Sequence, residues 1–406
     1  MHKSVFAAVV PLFLFHAATA AADHHIDVEH WSAIESKATG QEVYFHAWGG
    51  DPRRNAYIEW AAEQILNRSG VVVTHVKLAD TAEAVSQVVS EKAAGRDEDG
   101  SVDLIWINGA NFASMKEQDL LYGPWAEELP NWQYVDVEGK PTVQSDFTVP
   151  TDGLEAPWGM AQLIFYHDTE TLPDPPKSIV AIGEWLEENP GRFTYPQPPD
   201  FHGLTFLKQA AYELMQDPSV LQEPVDPDRY EDLTAPLWAW LDGVTPNLWR
   251  SGRAYPSTGT QMKQLLADGE IEIAFSFNQS EASAAIAAGE LPDTVRSYVL
   301  EGGTIGNANF VAIPYNASAR EGAMVFANFL MSPEAQARAQ DPEVLGNFTV
   351  LDLDKLNETH RARFDSLELG VATLTPEELG QALQEPHPSW MDRLSEDWIS
   401  RYGVSQ

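Results

Sequence analysis

The sequence predicts an α/β protein built from two lobes. Between residues 43 and 107 the chain alternates short β-rich runs with amphipathic helices and glycine turns, which is typical of an open, mainly parallel sheet. The pattern becomes irregular after Asp136 and restarts near Gln162. A chain of 406 residues has room for two or three domains of roughly 150 residues each. We therefore expect a second α/β lobe inserted into the first, with the chain crossing between the lobes more than once.

The first lobe opens with a strand and a helix whose boundary is clear in the sequence. A β-rich run ends at Trp48-Gly49-Gly50, after which Asp51 suits a helix N-cap and Pro52 the first helical turn. Asp80 stands in the same position before a second helix, which Gly95 ends. The predicted elements are strands at 43–47, 71–76 and 102–107 and helices at about 52–66 and 80–94.

The second lobe shows a similar alternation. A helix from Ile179 to Glu188 precedes a stop at 189–191, and a proline-stiffened loop from Tyr195 to Asp200 leads into another helix. A strong strand over 271–277 ends at Asn278. The other elements predicted for this lobe are a strand at 162–166 and helices at 236–241, 259–267 and 280–288. A strand at 309–313 and a helix at 319–330 are predicted for the return to the first lobe.

The N-terminal segment has the order of a secretory signal peptide. Lys3 precedes an apolar run from Val5 to Phe15, and small residues follow up to Ala20. The run falls short of the ~20 residues that span a bilayer, so we expect cleavage near Ala20 or Ala22 and export of the rest. The predicted organisation is a signal peptide at 1–22, lobe 1 at 23–160, lobe 2 at 161–300, a return to lobe 1 at 301–345 and a C-terminal helical segment at 346–406.

Charge and cysteine content exclude several classes of partner and chemistry. The chain carries 61 acidic and 25 basic side chains, a formal charge of −36 that repels phosphate backbones and anionic lipid headgroups. It has no cysteine, which excludes thiolate nucleophiles, cysteine-ligated zinc, iron–sulfur clusters and disulfides. It also lacks the cysteine that carries the lipid of a bacterial lipoprotein. We expect a freely diffusing, monomeric periplasmic protein that does not bind nucleic acid.

Signatures of catalysis are missing from the sequence. It contains no G-x-x-x-x-G-K-[ST] loop, no G-x-S-x-G elbow, no H-E-x-x-H site and no G-x-G-x-x-G after a strand. We therefore assign no catalytic residue and expect neither a cofactor nor a metal. The abundance of carboxylates leaves one alternative open, an exported hydrolase that uses two carboxylates in the cleft.

The candidate binding residues lie mostly in loops at strand ends, where open α/β sheets bind ligands. Glycines permit close backbone approach, helix N-termini offer free N–H groups, aromatic rings stack, and asparagine amides donate and accept hydrogen bonds. Each residue also has a structural interpretation, as a turn residue or a packed ring. The candidates are Trp48, Gly49, Gly50, Asp51, Asn108, Asn111, Trp158, Tyr195, Asp200, Asn278, Asn307 and Asn309.

Six short stretches carry a family resemblance. They are VYFHAWGGDP at 43–52, VDLIWING at 102–109, LPNW at 129–132, PWG at 157–159, YPQPPDF at 195–201 and IGNANF at 305–310. They closely resemble the YnjB-like family of ABC-transporter substrate-binding proteins, and ANFLMSPEAQ at 327–336 resembles the wider extracellular solute-binding group.

The resemblance implies a type II periplasmic binding protein fold, with two α/β lobes joined by hinge strands and a ligand cleft between them. It also implies a receptor rather than an enzyme. Such a receptor captures a small-molecule ligand and delivers it to an inner-membrane permease, which a separate ATPase subunit drives. Because relatives in the wider group bind thiamine, polyamines, iron or phosphonates, the fold does not choose the ligand.

Aromatic and acidic candidates favour a cationic or heteroaromatic ligand. The rings of Trp48, Trp158 and Tyr195 would stack on it, and the carboxylates of Asp51 and Asp200 would neutralise it. The opposing consideration is that Asp51 also suits a helix cap, which would occupy its carboxylate.

Two arginines leave open the alternative that the ligand is anionic. Arg53 and Arg54 lie one turn from the glycine loop, where a cation opposes the helix dipole and an anion would explain it. The simpler interpretation places both side chains on the surface.

Overall fold

The computed structural model describes residues 28–403, so the signal peptide predicted at 1–22 lies outside the described residues. The described chain is a mixed α/β protein. Its strands are β1 (Glu42–Trp48), β2 (Val72–Leu78), β3 (Leu104–Ile107), β4 (Ser145–Asp146), β5 (Val149–Pro150), β6 (Glu155–Gln162), β7 (Ile164–Asp168), β8 (Ile273–Ser276), β9 (Val295–Tyr298), β10 (Ile305–Ala312) and β11 (Leu383–Gln384).

Helices flank the sheets. They are α1 (Val28–Ala38), α2 (Pro52–Ser69), α3 (Ala82–Ala93), α4 (Ala110–Glu117), α5 (Ile179–Glu188), α6 (Phe201–Leu214), α7 (Tyr230–Val244), α8 (Gly259–Ala267), α9 (Glu281–Ala287), α10 (Arg320–Leu330), α11 (Pro333–Gln340), α12 (Glu358–Asp365), α13 (Pro376–Leu379) and α14 (Ser389–Tyr402). None of the helices within 28–403 combines the length and hydropathy needed to cross a membrane.

The larger sheet belongs to the first lobe. Its strand order is β11-β10-β3-β1-β2, and β6 also pairs with β10. The three strands predicted for this lobe, β1 to β3, are parallel, as expected. The long strand β10 runs antiparallel to both β3 and β6, which makes the sheet mixed. The carboxyl ends of β1 and β3 therefore lie at one edge, which is where the glycine turn and Asn108 begin.

The smaller sheet belongs to the second lobe. It has the order β8-β7-β9, and both pairs of neighbouring strands are antiparallel. Phe165 on the central strand is fully buried, and its ring contacts those of Phe275 and Tyr298 at centroid distances of 5.5 and 5.7 Å. Burying each such ring contributes about 1.5–3 kcal/mol, so this aromatic layer forms a large part of the core of the second lobe.

The chain crosses between the lobes in adjacent segments. β6 of the first sheet leads directly into β7 of the second through Leu163, and β9 returns to β10. The Leu163 N–H donates to the Ile305 carbonyl at 2.8 Å, so the two crossings are hydrogen-bonded to each other. The strand predicted over 162–166 corresponds to β7, which begins two residues later at Ile164, while Gln162 is the last residue of β6.

Helix α2 follows the sequence signals at both ends. Asp51 is the N-cap, and its carboxylate accepts a hydrogen bond from the Arg53 N–H at 2.9 Å. Gly70 ends the helix in the left-handed conformation, with φ of 71°, and its N–H donates to the Leu66 carbonyl. The helix runs to Ser69, three residues beyond the predicted end, because the glycine rather than Leu66 stops it.

The chain after residue 345 returns to both lobes. α12 packs on α11 in the first lobe, whereas α14 packs on α6 in the second. Between these helices, β11 pairs with β10 in the larger sheet. The segment predicted as helical therefore also contains a short strand, and it forms a third connection between the lobes.

Candidate functional site

The carboxyl edge of the larger sheet faces the second lobe, at the junction where the ligand cleft is predicted. Arg53 at the start of α2 forms an ion pair with Glu281 at the start of α9, with 3.4 Å between Nη2 and Oε2. Asn278, just after β8, donates from Nδ2 to the carbonyl of Leu345 in the first-lobe core at 2.7 Å. These two contacts join the lobes close to the carboxyl ends of β1 and β8.

The glycine turn presents an aromatic ring at this edge. Trp48 is 40% exposed, and a Cβ atom at Gly50 would collide with its ring, so the turn needs glycine there. The Gly49 N–H donates to the Leu78 carbonyl, and its own carbonyl accepts from Asn55 Nδ2 at 2.9 Å. The turn is therefore held rigidly beneath an accessible tryptophan.

The predicted asparagines of the first lobe lie close together. Asn108 accepts from Trp106 Nε1 at 3.2 Å and donates to the carbonyl of Ala308 at 2.7 Å. That carbonyl lies between Asn307 and Asn309 on β10, so residues 200 positions apart in sequence share one edge. The fourth predicted asparagine of this lobe, Asn111, is partly accessible on the first turn of α4.

Two carboxyl groups are buried behind this edge. The Asp146 carboxylate accepts from the Gly109 N–H at 2.6 Å, yet burial raises the pKa of Asp146 to about 8. Burial also raises the pKa of Glu155 well above its usual range, and neither Glu155 oxygen has a hydrogen-bond partner among residues 28–403. Both groups are fully shielded from solvent, so neither is placed like the accessible carboxylate pair that a cleft hydrolase would use.

The second lobe contributes a helix start and an exposed ring. Asp200 caps α6 by accepting from the His202 N–H at 2.9 Å. Phe201, the next residue, is 37% exposed and packs edge-on against Phe277 with 5.1 Å between centroids. The carboxylates of Asp51 and Asp200, which the cationic-ligand hypothesis used, are therefore both engaged as helix caps.

A buried ion pair connects the two lobes below the cleft. Lys208 of α6 and Glu385 are both fully buried, with 2.6 Å between Nζ and Oε2. The Lys208 ammonium also lies 4.9 Å from the ring centroid of Phe147 in the first lobe. Asn307 donates to the other Glu385 oxygen at 3.4 Å. Sequence reasoning missed this group, because the two charges lie 177 residues apart.

Two predicted ligand-stacking rings lie in the cores instead. Tyr195 is fully buried, stacks on Phe206 at 4.7 Å and accepts a hydrogen bond from Trp398 Nε1 at 3.0 Å. Trp158 is 1% exposed and packs against Tyr57. Burying these two rings stabilises the cores more than leaving them exposed in a loop would. Of the three predicted stacking rings, Trp48 is therefore the one that remains accessible.

Arg54 is half-buried, whereas the simpler interpretation of the sequence placed it on the surface. Its guanidinium lies 4.8 Å from the Trp106 ring centroid, and its Nε and Nη1 atoms are buried without a hydrogen-bond partner among residues 28–403. Burial lowers the pKa of Arg54 from its usual value. The described residues contain no group of three or more His, Cys, Asp or Glu side chains that could hold a metal ion.

Similarity to known proteins decides the family. Residues 60–352 match the family model described as bacterial extracellular solute-binding protein. The chain belongs to this family. The solute-binding protein is also 43% identical to Protein YnjB of Escherichia coli (strain K12) over 393 residues, which is 97% of each chain. The resemblance found in the six sequence stretches is therefore confirmed.

Solved structures support the fold of the solute-binding protein. The periplasmic binding protein AfuA of Actinobacillus pleuropneumoniae, with fructose-6-phosphate bound, is 15% identical with a TM-score of 0.60, covering 90% of this chain and all of AfuA. The spermidine/putrescine substrate-binding protein PotD of Streptococcus pneumoniae is 17% identical with a TM-score of 0.56, covering 89% of this chain and 98% of PotD. The predicted type II periplasmic binding fold is confirmed.

Proposed function

We propose that the protein is the periplasmic receptor of an ABC importer, which captures a small organic ligand between its lobes. It is exported by the cleavable signal peptide at 1–22, diffuses without a lipid anchor and acts as a monomer. It delivers the ligand unchanged to an inner-membrane permease driven by a separate ATPase. The observation that carries this proposal is the division into two lobes whose crossing strands lie side by side, with the strand-end edge of the larger sheet facing the second lobe.

Hinge closure provides the mechanism. The crossings at Leu163 and Ile305 are short and adjacent, so small backbone rotations there would move one lobe against the other. A ligand that touches both walls binds the closed arrangement more tightly than the open one and shifts the population towards closure. The permease then recognises the closed form.

The charge of the ligand does not follow from relatives. PotD is named for the cations spermidine and putrescine, whereas AfuA holds a sugar phosphate. The cationic hypothesis relied on Asp51 and Asp200, and each of them caps a helix. The ligand class must therefore be sought in the charged groups that the cleft leaves without partners.

Calorimetric titration of the mature protein tests the receptor function. The probes are fructose 6-phosphate, glycerol 3-phosphate, succinate, 4-aminobutyrate, thiamine, putrescine and spermidine. We expect one of these classes to bind at one site per chain and to be recovered unchanged. Product formation with turnover would favour the hydrolase alternative, and the absence of binding by every class would contradict the receptor proposal.

A matched pair of variants locates the binding site. Trp48→Ala removes the accessible ring at the carboxyl end of β1, whereas Tyr44→Ala removes a similarly exposed ring, 39% against 40%, nearer the other end of the same strand. Loss of one stacking contact should weaken binding about 3- to 30-fold in Trp48→Ala. Equal effects of the two substitutions would argue against a site at this edge.

A further inference from the structure

Arg54 is a partly buried cation without a matching charge. No hydrogen bond or ion pair of its side chain occurs among residues 28–403, and its Nε and Nη1 atoms are shielded from solvent. The other two arginines of α2 each have a carboxylate partner, because Arg53 pairs with Glu281 and Arg68 pairs with Glu334 at 2.7 Å. The fold therefore satisfies the other two arginines of this helix and leaves Arg54 unpaired.

The surroundings of Arg54 do not compensate for its charge. It lies in the first turn of α2, where the helix dipole disfavours a cation. Asp51 is close enough to affect the Arg54 pKa, but its carboxylate accepts from the Arg53 N–H. The rings of Trp106 and Trp158, at 4.8 and 5.9 Å from the guanidinium, offer only weak cation–π attraction. An unpaired buried charge of this kind destabilises the protein unless something binds it.

A second unused donor lies beside the guanidinium. Trp158 Nε1 is buried and has no hydrogen-bond partner among the described residues. The Arg54 side chain as a whole remains partly accessible, so a ligand can reach it. The guanidinium of Arg54 and the indole N–H of Trp158 form a donor pair suited to carboxylate or phosphate oxygens.

We propose that the ligand of the cleft carries an anionic group, a carboxylate or a phosphate, which Arg54 binds. This inference rests on the proposed receptor function and names the ligand class of the same site. The anion lies at the carboxyl edge, near the Asn108 group that Trp106 contacts, while the rest of the ligand reaches Trp48 and the second lobe.

The test compares Arg54→Met with Arg68→Met. Both variants remove an arginine of α2 that lies over an aromatic ring, but Arg68 has its own carboxylate partner and lies at the far end of the helix. Arg54→Lys serves as a conservative variant that keeps the charge. Thermal unfolding and calorimetry are measured with fructose 6-phosphate, inorganic phosphate, succinate and the zwitterion 4-aminobutyrate, which all carry an anionic group and are called the anionic probes. Putrescine and spermidine serve as probes without an anionic group.

We expect at least one anionic probe to stabilise the wild type and Arg68→Met, and its affinity to fall about 10- to 100-fold in Arg54→Met. Binding by the phosphate probes alone or by the carboxylates alone identifies which anion the site takes. Without ligand, Arg54→Met should be at least as stable as the wild type, because the substitution removes an unpaired buried charge. Arg54→Lys should retain part of the affinity.

Three outcomes would overturn the inference. A probe without an anion that binds the wild type and Arg54→Met equally would leave the receptor function standing and reject the anion. Marked destabilisation of ligand-free Arg54→Met, with unchanged affinity for the anionic probes in Arg54→Lys and Arg54→Met, would assign Arg54 a structural role. Failure of every anionic probe to bind the wild type would also contradict it, and failure of all probes would reject the receptor function as well.

Discussion

Arg53 Nη2 lies 3.4 Å from Glu281 Oε2, and this ion pair joins the two lobes across the cleft. Glu281 also pairs with Lys263 of its own lobe at 2.9 Å. Both partners of the cross-cleft pair are partly exposed, so its net contribution to stability is about 0–1 kcal/mol. A weak contact of this kind can break and reform as the lobes open and close.

Glu281→Gln should therefore favour the open arrangement with little change in stability. The absence of natural cysteines allows one fluorophore to be attached to each lobe, at Glu63→Cys and Glu188→Cys, two exposed helical positions. Energy transfer between the labels should shift in Glu281→Gln, whereas Glu334→Gln, which breaks the Arg68 pair within the first lobe, should leave it unchanged. Identical transfer in both variants would show that the pair does not influence closure.

Asp146 makes the stability depend on pH. Its pKa rises from the ordinary 3.8 to about 8 in the folded protein, because burial disfavours the charged form. Between these values the unfolded chain has released a proton that the folded protein keeps, so the free energy of unfolding falls as the pH rises from about 4 to about 8. Denaturant unfolding should show a smaller fall for Asp146→Asn. The exposed Asp174→Asn serves as control, and a wild-type stability that rises over this range would contradict the assignment.

Replacing Lys208 should lower the free energy of unfolding strongly. Lys208→Met leaves Glu385 buried and unpaired, which should lower the free energy of unfolding by about 3–5 kcal/mol. The double variant Lys208→Met with Glu385→Gln removes both charges and should recover much of that loss. Urea unfolding measures both variants. If the single variant lost less than about 1 kcal/mol, the pair would not hold the lobes as described.

Replacing Trp158 and replacing Trp48 should lower the free energy of unfolding by different amounts. Trp158→Ala deletes a buried ring and should cost about 3–5 kcal/mol of stability, since the surrounding core cannot fill the cavity. Trp48→Ala removes a ring that is 40% exposed and should cost less than about 1 kcal/mol. Comparable losses of unfolding free energy in the two variants would mean that Trp48 is part of the packing rather than an accessible ring.

Local signals in the sequence predicted local structure well. Asp51 and Pro52 marked the start of α2, because a cap needs only neighbouring N–H groups. Asp200 was predicted as a ligand carboxylate, and the structure shows it as the N-cap of α6. The strand-end loops at Trp48 and Asn108 were also predicted to lie at one edge, and the parallel pairing of β1 with β3 brings them there.

Local sequence patterns could not predict the contacts between residues far apart in the chain. Whether a ring such as Tyr195 is buried depends on α14, whose Trp398 lies 203 residues away. The pairing of Lys208 with Glu385 depends on the late return of the chain to both lobes. Arg54 was noticed as a cation at a helix start, but only its three-dimensional surroundings show that it lacks a partner.

Small-angle X-ray scattering of the mature protein tests the central claim most directly. It is measured without ligand and with the tightest-binding probe of the titration panel at saturation. If the two lobes close on a ligand held between them, the radius of gyration should decrease on binding, and the probe should be recovered chemically unchanged at one molecule per chain. A radius of gyration that stays the same while calorimetry shows saturation, or conversion of the probe into a product, would contradict the account.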